Sequence, residues 1–214
     1  LLTYIGLLCQ GKPSFEAVRE LHADPEYYKA ALGISYAIPS AETLRQRMDI
    51  IGRTLRDEIL AANITMFNTI GAKPSSLPCG FVPVDIDVTP CDNSKTSKEG
   101  VSRTYKGFDG YAPIMAYIGD EGFLVNTELR EGKQHSQKGT PDFLRETLRL
   151  AHQMTDQQLL IRWDSGNDAA ENLGILIEDG SWFVIKRNMR RAWFHHVDRG
   201  VYFYSQAVNA DEAR

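Results

Sequence analysis

Apolar positions in the first 70 residues recur at steps of three and four, and from residue 81 onward they alternate with polar ones. That change of period divides the chain into a helical part and a strand-bearing part. In the first part Ser14 can cap a helix over Phe15 to Leu21, and Asp24 before Pro25 is an N-cap with proline at the first helical position. Gly33 interrupts the pattern, and Pro39 and Ser40 open a longer segment. There Leu44, Met48, Ile51, Leu55, Ile59, Ala62, Met66 and Ile70 predict one face of a single helix, which Gly71 is placed to end.

Residues 71–80 are dense in Gly, Pro and Ser and read as a linker. Beyond them Phe81 to Thr89 alternates, with Val82, Val84, Ile86 and Val88 on one face and Asp85, Asp87 and Thr89 on the other. Tyr111 to Ile118 and Phe123 to Leu129 flank a hairpin signal at Gly119 to Gly122. A helix from Thr140 towards Met154, a strand Leu159 to Trp163, a helix from Asp168 towards Glu178 and a strand Trp182 to Lys186 complete the pattern. Three strands, then helix, strand, helix, strand predict an α/β fold with helices on the faces of a mixed sheet. The expected organisation is a helical region over 1–70, a linker over 71–80 and a core over 81–214.

Composition narrows the class. The 214 residues are 43% hydrophobic and 24% charged, which excludes disorder and collagen. Lys and Arg total 24 against 28 Asp and Glu, a net charge of −4, so any hold on nucleic acid must come from a local patch. Cys9, Cys79 and Cys91 are odd in number, widely spaced and form no C-x-x-C pair, which argues against a zinc or disulfide framework and fits a reducing cytoplasm. No apolar run reaches the roughly 20 residues of a membrane span. The apolar start, Leu1 to Cys9, lacks both the cationic flank of a signal peptide and an initiator methionine, so a fragment of a longer chain is expected.

Two acids share one face of the first strand. Asp85 and Asp87, with Cα atoms about 6.5 to 7 Å apart, suit a hard divalent ion such as Mg²⁺, or else form the solvated face of an edge strand. Asp164 ends another apolar strand just before a helix, where sheets with helical crossovers collect their catalytic groups. It could also be only a turn residue, and Ser165, Asn167 or Asp168 could cap that helix, so Asp168 reads as a cap rather than a ligand.

Cations are concentrated in two places. Lys186, Arg187, Arg190 and Arg191 follow a strand without an intervening acid, and Lys95, Lys98, Arg103 and Lys106 form a second set. Both suit phosphate contacts, with a solvated loop as the plain alternative. His195, His196 and Asp198 read as structural or surface residues, because adjacent histidines on a strand point to opposite sides. In the helical part, Pro25 to Leu32 and the helix carrying Arg45 and Arg47 could form a helix-turn-helix, or a packing or dimerisation region.

From Asp85 to Asn188 the chain resembles the DDE transposases of bacterial insertion sequences, particularly the insertion-sequence 1380 group. The resemblance is carried by Asp85 to Pro90, Lys98 to Pro113, Glu128 to Gly132, His135 to Thr140, Asp164 to Asp168 and Ile185 to Asn188. It implies a ribonuclease H-like core, with Asp87 and Asp164 as the first two catalytic, metal-binding carboxylates. Asp85 would then either replace Asp87 or support it. The family's third carboxylate is a Glu within a Tyr–Arg–Glu–Lys signature that this chain does not show; Glu171, Glu178 and Glu212 are poor substitutes. Val201 to Ser205 could begin the β-rich insertion that precedes that Glu in related enzymes.

The implied chemistry is hydrolysis at transposon ends followed by strand transfer, using two Mg²⁺ or Mn²⁺ ions about 3.5 to 4 Å apart. The implied partners are terminal inverted repeats, target DNA and a second copy in a synaptic dimer, within the bacterial cytoplasm at the nucleoid. A non-catalytic DNA-binding or assembly module and a stand-alone metal-dependent nuclease are the alternatives.

Overall fold

A computed structural model describes residues 1–52 and 54–186. They belong to two compact units, Leu1–Ile59 and the residues from Leu60 onward.

The first unit holds α1 (Leu2–Cys9), a 3-10 turn (Phe15–Ala17) running into α2 (Val18–Leu21), α3 (Pro25–Leu32) and α4 (Ala41–Gly52). The expected caps form. Ser14 accepts from the Glu16 N–H, Asp24 from Tyr27 N–H and Ser40 from Thr43 N–H, and Gly33 closes α3 in the left-handed region. Leu7, Val18, Leu21, Ile34, Ile38 and Leu44 make the core. The connection between α3 and α4, residues 33–40, is longer than the roughly three- to four-residue turn of a helix-turn-helix.

The single long helix expected after Ser40 is two helices, α4 and α5 (Arg56–Thr69). Gly52 ends the first, a position where glycine costs a helix interior about 1 kcal/mol relative to alanine. The Thr54 and Leu55 N–H groups both turn back to the Ile51 carbonyl. The break shifts the phase of the apolar stripe. Leu60 and Ile64 are buried and Phe67 packs beside them, whereas Ile59, Met66 and Ile70 stay exposed. Leu60 onward therefore counts with the second unit, so the division falls ahead of the linker expected over 71–80.

The second unit continues with β1 (Val82–Val88), β2 (Cys91–Asp92), β3 (Ser102–Arg103), β4 (Asp109–Tyr111), β5 (Ile114–Ile118), β6 (Phe123–Glu128), α6 (Thr140–Ala151), β7 (Leu159–Trp163), α7 (Ala170–Asp179) and β8 (Trp182–Ile185). The main sheet has five strands in the order β6-β5-β1-β7-β8. β5 runs antiparallel to both β1 and β6, while β7 is parallel to β1 and β8 to β7. This is the expected mixed α/β sheet, and its strand order is ribonuclease H-like. Its core joins Val82, Val84 and Ile86 to Ile114, Val125, Leu159 and Ile161, with Phe143, Leu144 and Leu148 of α6 and Leu176 of α7 laid against them.

Two local expectations change. The strand read over Tyr111 to Ile118 breaks at Pro113, which has no N–H to give a ladder, and β4 joins β2 and β3 in a separate sheet of order β2-β4-β3. The helix read from Asp168 begins at Ala170 with Ala169 at its N-cap and no side-chain cap bond, so Asp168 is not its cap. Asp164 instead caps a 3-10 turn over Ser165–Asn167.

Candidate active site

The register of β1 and β7 decides how the acids meet. Val84 lies opposite Ile161, Asp85 opposite Arg162 and Ile86 opposite Trp163. The ladder ends there, and continuing its register by one residue sets Asp87 beside Asp164 at the carboxyl ends of two adjacent parallel strands. Side chains two apart on a strand share a face, so Asp85, Arg162, Asp87 and Asp164 all lie on one side of the sheet.

Asp85 is already engaged. Arg162 donates through Nε to Asp85 Oδ1 at 2.5 Å and through Nη2 to Oδ2, a two-pronged fork across the strands. The hydrogen bond to Asp85 holds the guanidinium above its usual value, and the charges of Asp85 and Asp120 add to the effect. Asp87 and Asp164 are both exposed. Asp87 Oδ1 accepts from its neighbour's Val88 N–H at 2.8 Å. Asp164 Oδ1 accepts from the Gly166 N–H and from Asn167 Nδ2, both at 3.0 Å.

A cleft of about 550 Å³ opens beside Asp164. Val88, Thr104 and Tyr105 line one part of it, and Lys133, His135 and Asn167 another. The Tyr105 hydroxyl donates to the Val88 carbonyl at 3.4 Å. Burial pushes that hydroxyl's pKa up, and the charges of Asp87 and Asp164 push it further, so the phenol lies within electrostatic reach of both acids.

The loop over residues 131–139 is held to the small sheet by close backbone approach. A Cβ on Gly132 would run into the carbonyls of Ser102 and Gly110, and one on Gly110 into the carbonyl of Cys91. Only glycine fits at either place. Arg130 anchors the same loop from beneath. Its side chain is 2% exposed, and it donates from Nε to Glu128 at 2.7 Å and from Nη1 to the Ser136 carbonyl and Thr140 Oγ1, each at 3.1 Å. Ser136 in turn donates to the Gly166 carbonyl at 3.2 Å, which ties the loop to the turn after Asp164.

The sequence-selected cations are spread around this centre. Lys95, Lys98, Arg103 and Lys106 are exposed around the small sheet, with Arg103 lining the cleft and standing 3.7 Å from Asp109. The Lys186 N–H donates to the Trp163 carbonyl at 3.0 Å, which sets Lys186 level with Asp164 on the neighbouring strand. Arg187, Arg190, Arg191, His195, His196, Asp198 and the strand expected over Val201 to Ser205 lie outside the described residues. In the helical unit Arg45 is bound to Glu16 and Glu42, while Arg47 is exposed. Tyr105, Lys133 and Asn167 were not singled out by spacing, because a loop residue has no period to mark it.

Oxygen donors on adjacent strand ends fit a hard divalent ion. Among the described residues, no group of three or more His, Cys, Asp or Glu comes together as a metal site.

A mixed sheet of this order, with acids at the ends of its central parallel strands, defines a ribonuclease H-like domain. Residues 4–198 match the family model described as "Transposase DDE domain group 1", and the chain belongs to that family. No curated protein matches it. Among solved structures, the piggyBac transposase synaptic complex with hairpin DNA is similar at 12% identity and a TM-score of 0.37, over 56% of this chain and 24% of that one. The Mos1 transposase paired-end complex with left transposon end is similar at 12% identity and a TM-score of 0.34, over 79% of this chain and 57% of that one. The chain thus spans less than two thirds of either protein's length. No helix among the described residues is long and apolar enough to cross a membrane.

Proposed function

We propose that this chain is the core of a DNA transposase of the insertion-sequence 1380 type, which cuts phosphodiester bonds at transposon ends and joins the freed 3′-hydroxyl to target DNA. The observation that carries this reading is the parallel β1–β7 ladder, which ends at Ile86 opposite Trp163 so that Asp87 and Asp164 are the next residues on each side, with Asp85 neutralised by Arg162 two positions back. Asp87 and Asp164 would hold the divalent ions, Mg²⁺ or Mn²⁺, and Asp85 supports them from beneath. Bound there, the ions supply activation of the attacking oxygen and stabilisation of the leaving one. Asp87 and Asp164 would be two of the ions' carboxylate ligands, and the third acid comes from outside the described residues. Lys95, Lys98, Arg103, Lys106 and Lys186 hold the flanking phosphates. The partners are the element's inverted repeats, target DNA and a second copy in a synaptic dimer, in the bacterial cytoplasm.

The test is cleavage of an element-end duplex by the full-length protein and its variants. Asp87→Asn and Asp164→Asn abolish cutting while DNA binding persists. Asp85→Asn, which removes a supporting group, costs about 10- to 100-fold. Cutting that survives both of the first two variants overturns the site, and wild-type protein that binds DNA without cutting it is an assembly module instead.

A further inference from the structure

We infer that Tyr105 is a nucleobase-stacking residue, whose ring seats the base beside the scissile phosphate in the cleft next to Asp164. The inference deepens the proposed function and rests on it. Tyr105 is 71% exposed, so packing within the protein does not account for a large aromatic ring at this place. The ring is nonetheless held. Thr104 beneath it is buried, with its N–H and its hydroxyl both donating to the Phe108 carbonyl at 2.8 Å, and the Gly107 N–H returns to the Thr104 carbonyl at 3.0 Å. The phenol's own bond to Val88 then fixes the ring's edge next to the end of β1.

The rest of the cleft matches a nucleotide. Asn167 is 1% exposed, its Nδ2 is committed to Asp164, and its Oδ1 has no hydrogen-bond partner. Because the carboxylate can only accept, the amide orientation is set, and the buried Oδ1 behind the cleft wall is left as an unpartnered acceptor. Arg103 and Lys133 are exposed on the cleft wall, where they suit the phosphates on either side. A ring face and two cations around one cleft are the elements of sequence-tolerant single-strand binding.

The test uses the full chain with Ca²⁺ and short single-stranded oligonucleotides carrying one 2-aminopurine, placed at each position in turn. Quenching of 2-aminopurine reads stacking and anisotropy reads affinity. Wild type, Tyr105→Phe and Tyr105→Trp quench at one or more positions. Tyr105→Ala loses the quench, binds about 5- to 150-fold more weakly and unfolds at an unchanged temperature. A Tyr105→Ala variant that keeps both signals overturns the inference and leaves the DNA reading standing, as does wild type that binds without quenching. Wild type that binds no DNA overturns both.

Discussion

Placing Asp87 level with Asp164 has a consequence for stability that needs no DNA to measure. Without a divalent ion, two like charges stand side by side on neighbouring strands. At the strand spacing of about 5 Å, unit charges repel by about 0.8 kcal/mol at the dielectric of water and about 3 kcal/mol at an effective value of about 20. Both carboxylates are exposed, so the lower figure applies. The Asn at either position keeps an oxygen to accept the local N–H bonds. Asp87→Asn and Asp164→Asn should therefore each stabilise the metal-free chain by about 0.8 kcal/mol, and the double variant should add almost nothing to either single one.

Urea denaturation in EDTA at low salt measures this, with a repeat at high salt, where the gain should shrink. If the pair holds a divalent ion as proposed, adding Mn²⁺ should then stabilise the wild type and leave the variants nearly unmoved. Asp85→Asn should instead destabilise, since it leaves Arg162 without its partner. Single variants that destabilise in EDTA, or gains that simply add in the double variant, would refute the rung.

Three further outcomes follow from the surrounding shell. Gly132→Ala should cost about 3 kcal/mol, the upper end for overpacking, because the obstructing atoms are backbone carbonyls; thermal denaturation checks it. Arg130→Met should cost about 3 kcal/mol in urea denaturation, the low end for breaking a buried pair, because Glu128 keeps 34% of its side-chain exposure. The Ser75 hydroxyl, then its N–H, hold the Glu121 carboxyl below its ordinary value of 4.5. A lowered acid contributes stability that is complete above that value and lost as pH falls through the folded one, so Glu121→Gln should flatten the acid limb of a stability–pH curve.

The main sheet was legible because its strands are long enough for a period of two to show, and Val82, Val84 and Ile86 are buried as their alternation predicts. The small sheet was not, since β2 and β3 are two residues each and β4 three, too short for any alternation. The helix after Ser40 misled for a related reason. Its apolar steps run through Gly52 without a gap in spacing, and nothing local shows that Leu60 and Ile64 take over the inward face. Within the site, strand position marked Asp85 and Asp87 alike and set Asp164 at a strand end, and only the family resemblance preferred Asp87. Separating Asp85 from Asp87 required the register that brings Arg162 across from one and not the other, and Tyr105 required the tertiary path that lays a loop beside two strand ends.

That register also explains why acids of equal standing in sequence end in different electrostatic roles. On one face the lower rung is an arginine–carboxylate fork with no net charge, and the upper rung carries two negative charges. Negative charge is thus concentrated at the mouth of the cleft rather than spread along the strand, while Arg103 and Lys133 line the cleft and Lys186 is level with Asp164 on the next strand. Bare, that centre repels a phosphate; a divalent ion held there, as proposed, would reverse the sign. The surrounding lysines and arginines can hold the nucleic-acid backbone in either state. On the proposed reading, the hold on DNA and the admission of its scissile phosphate would therefore be separable, and Asp87→Asn and Asp164→Asn would affect only the second.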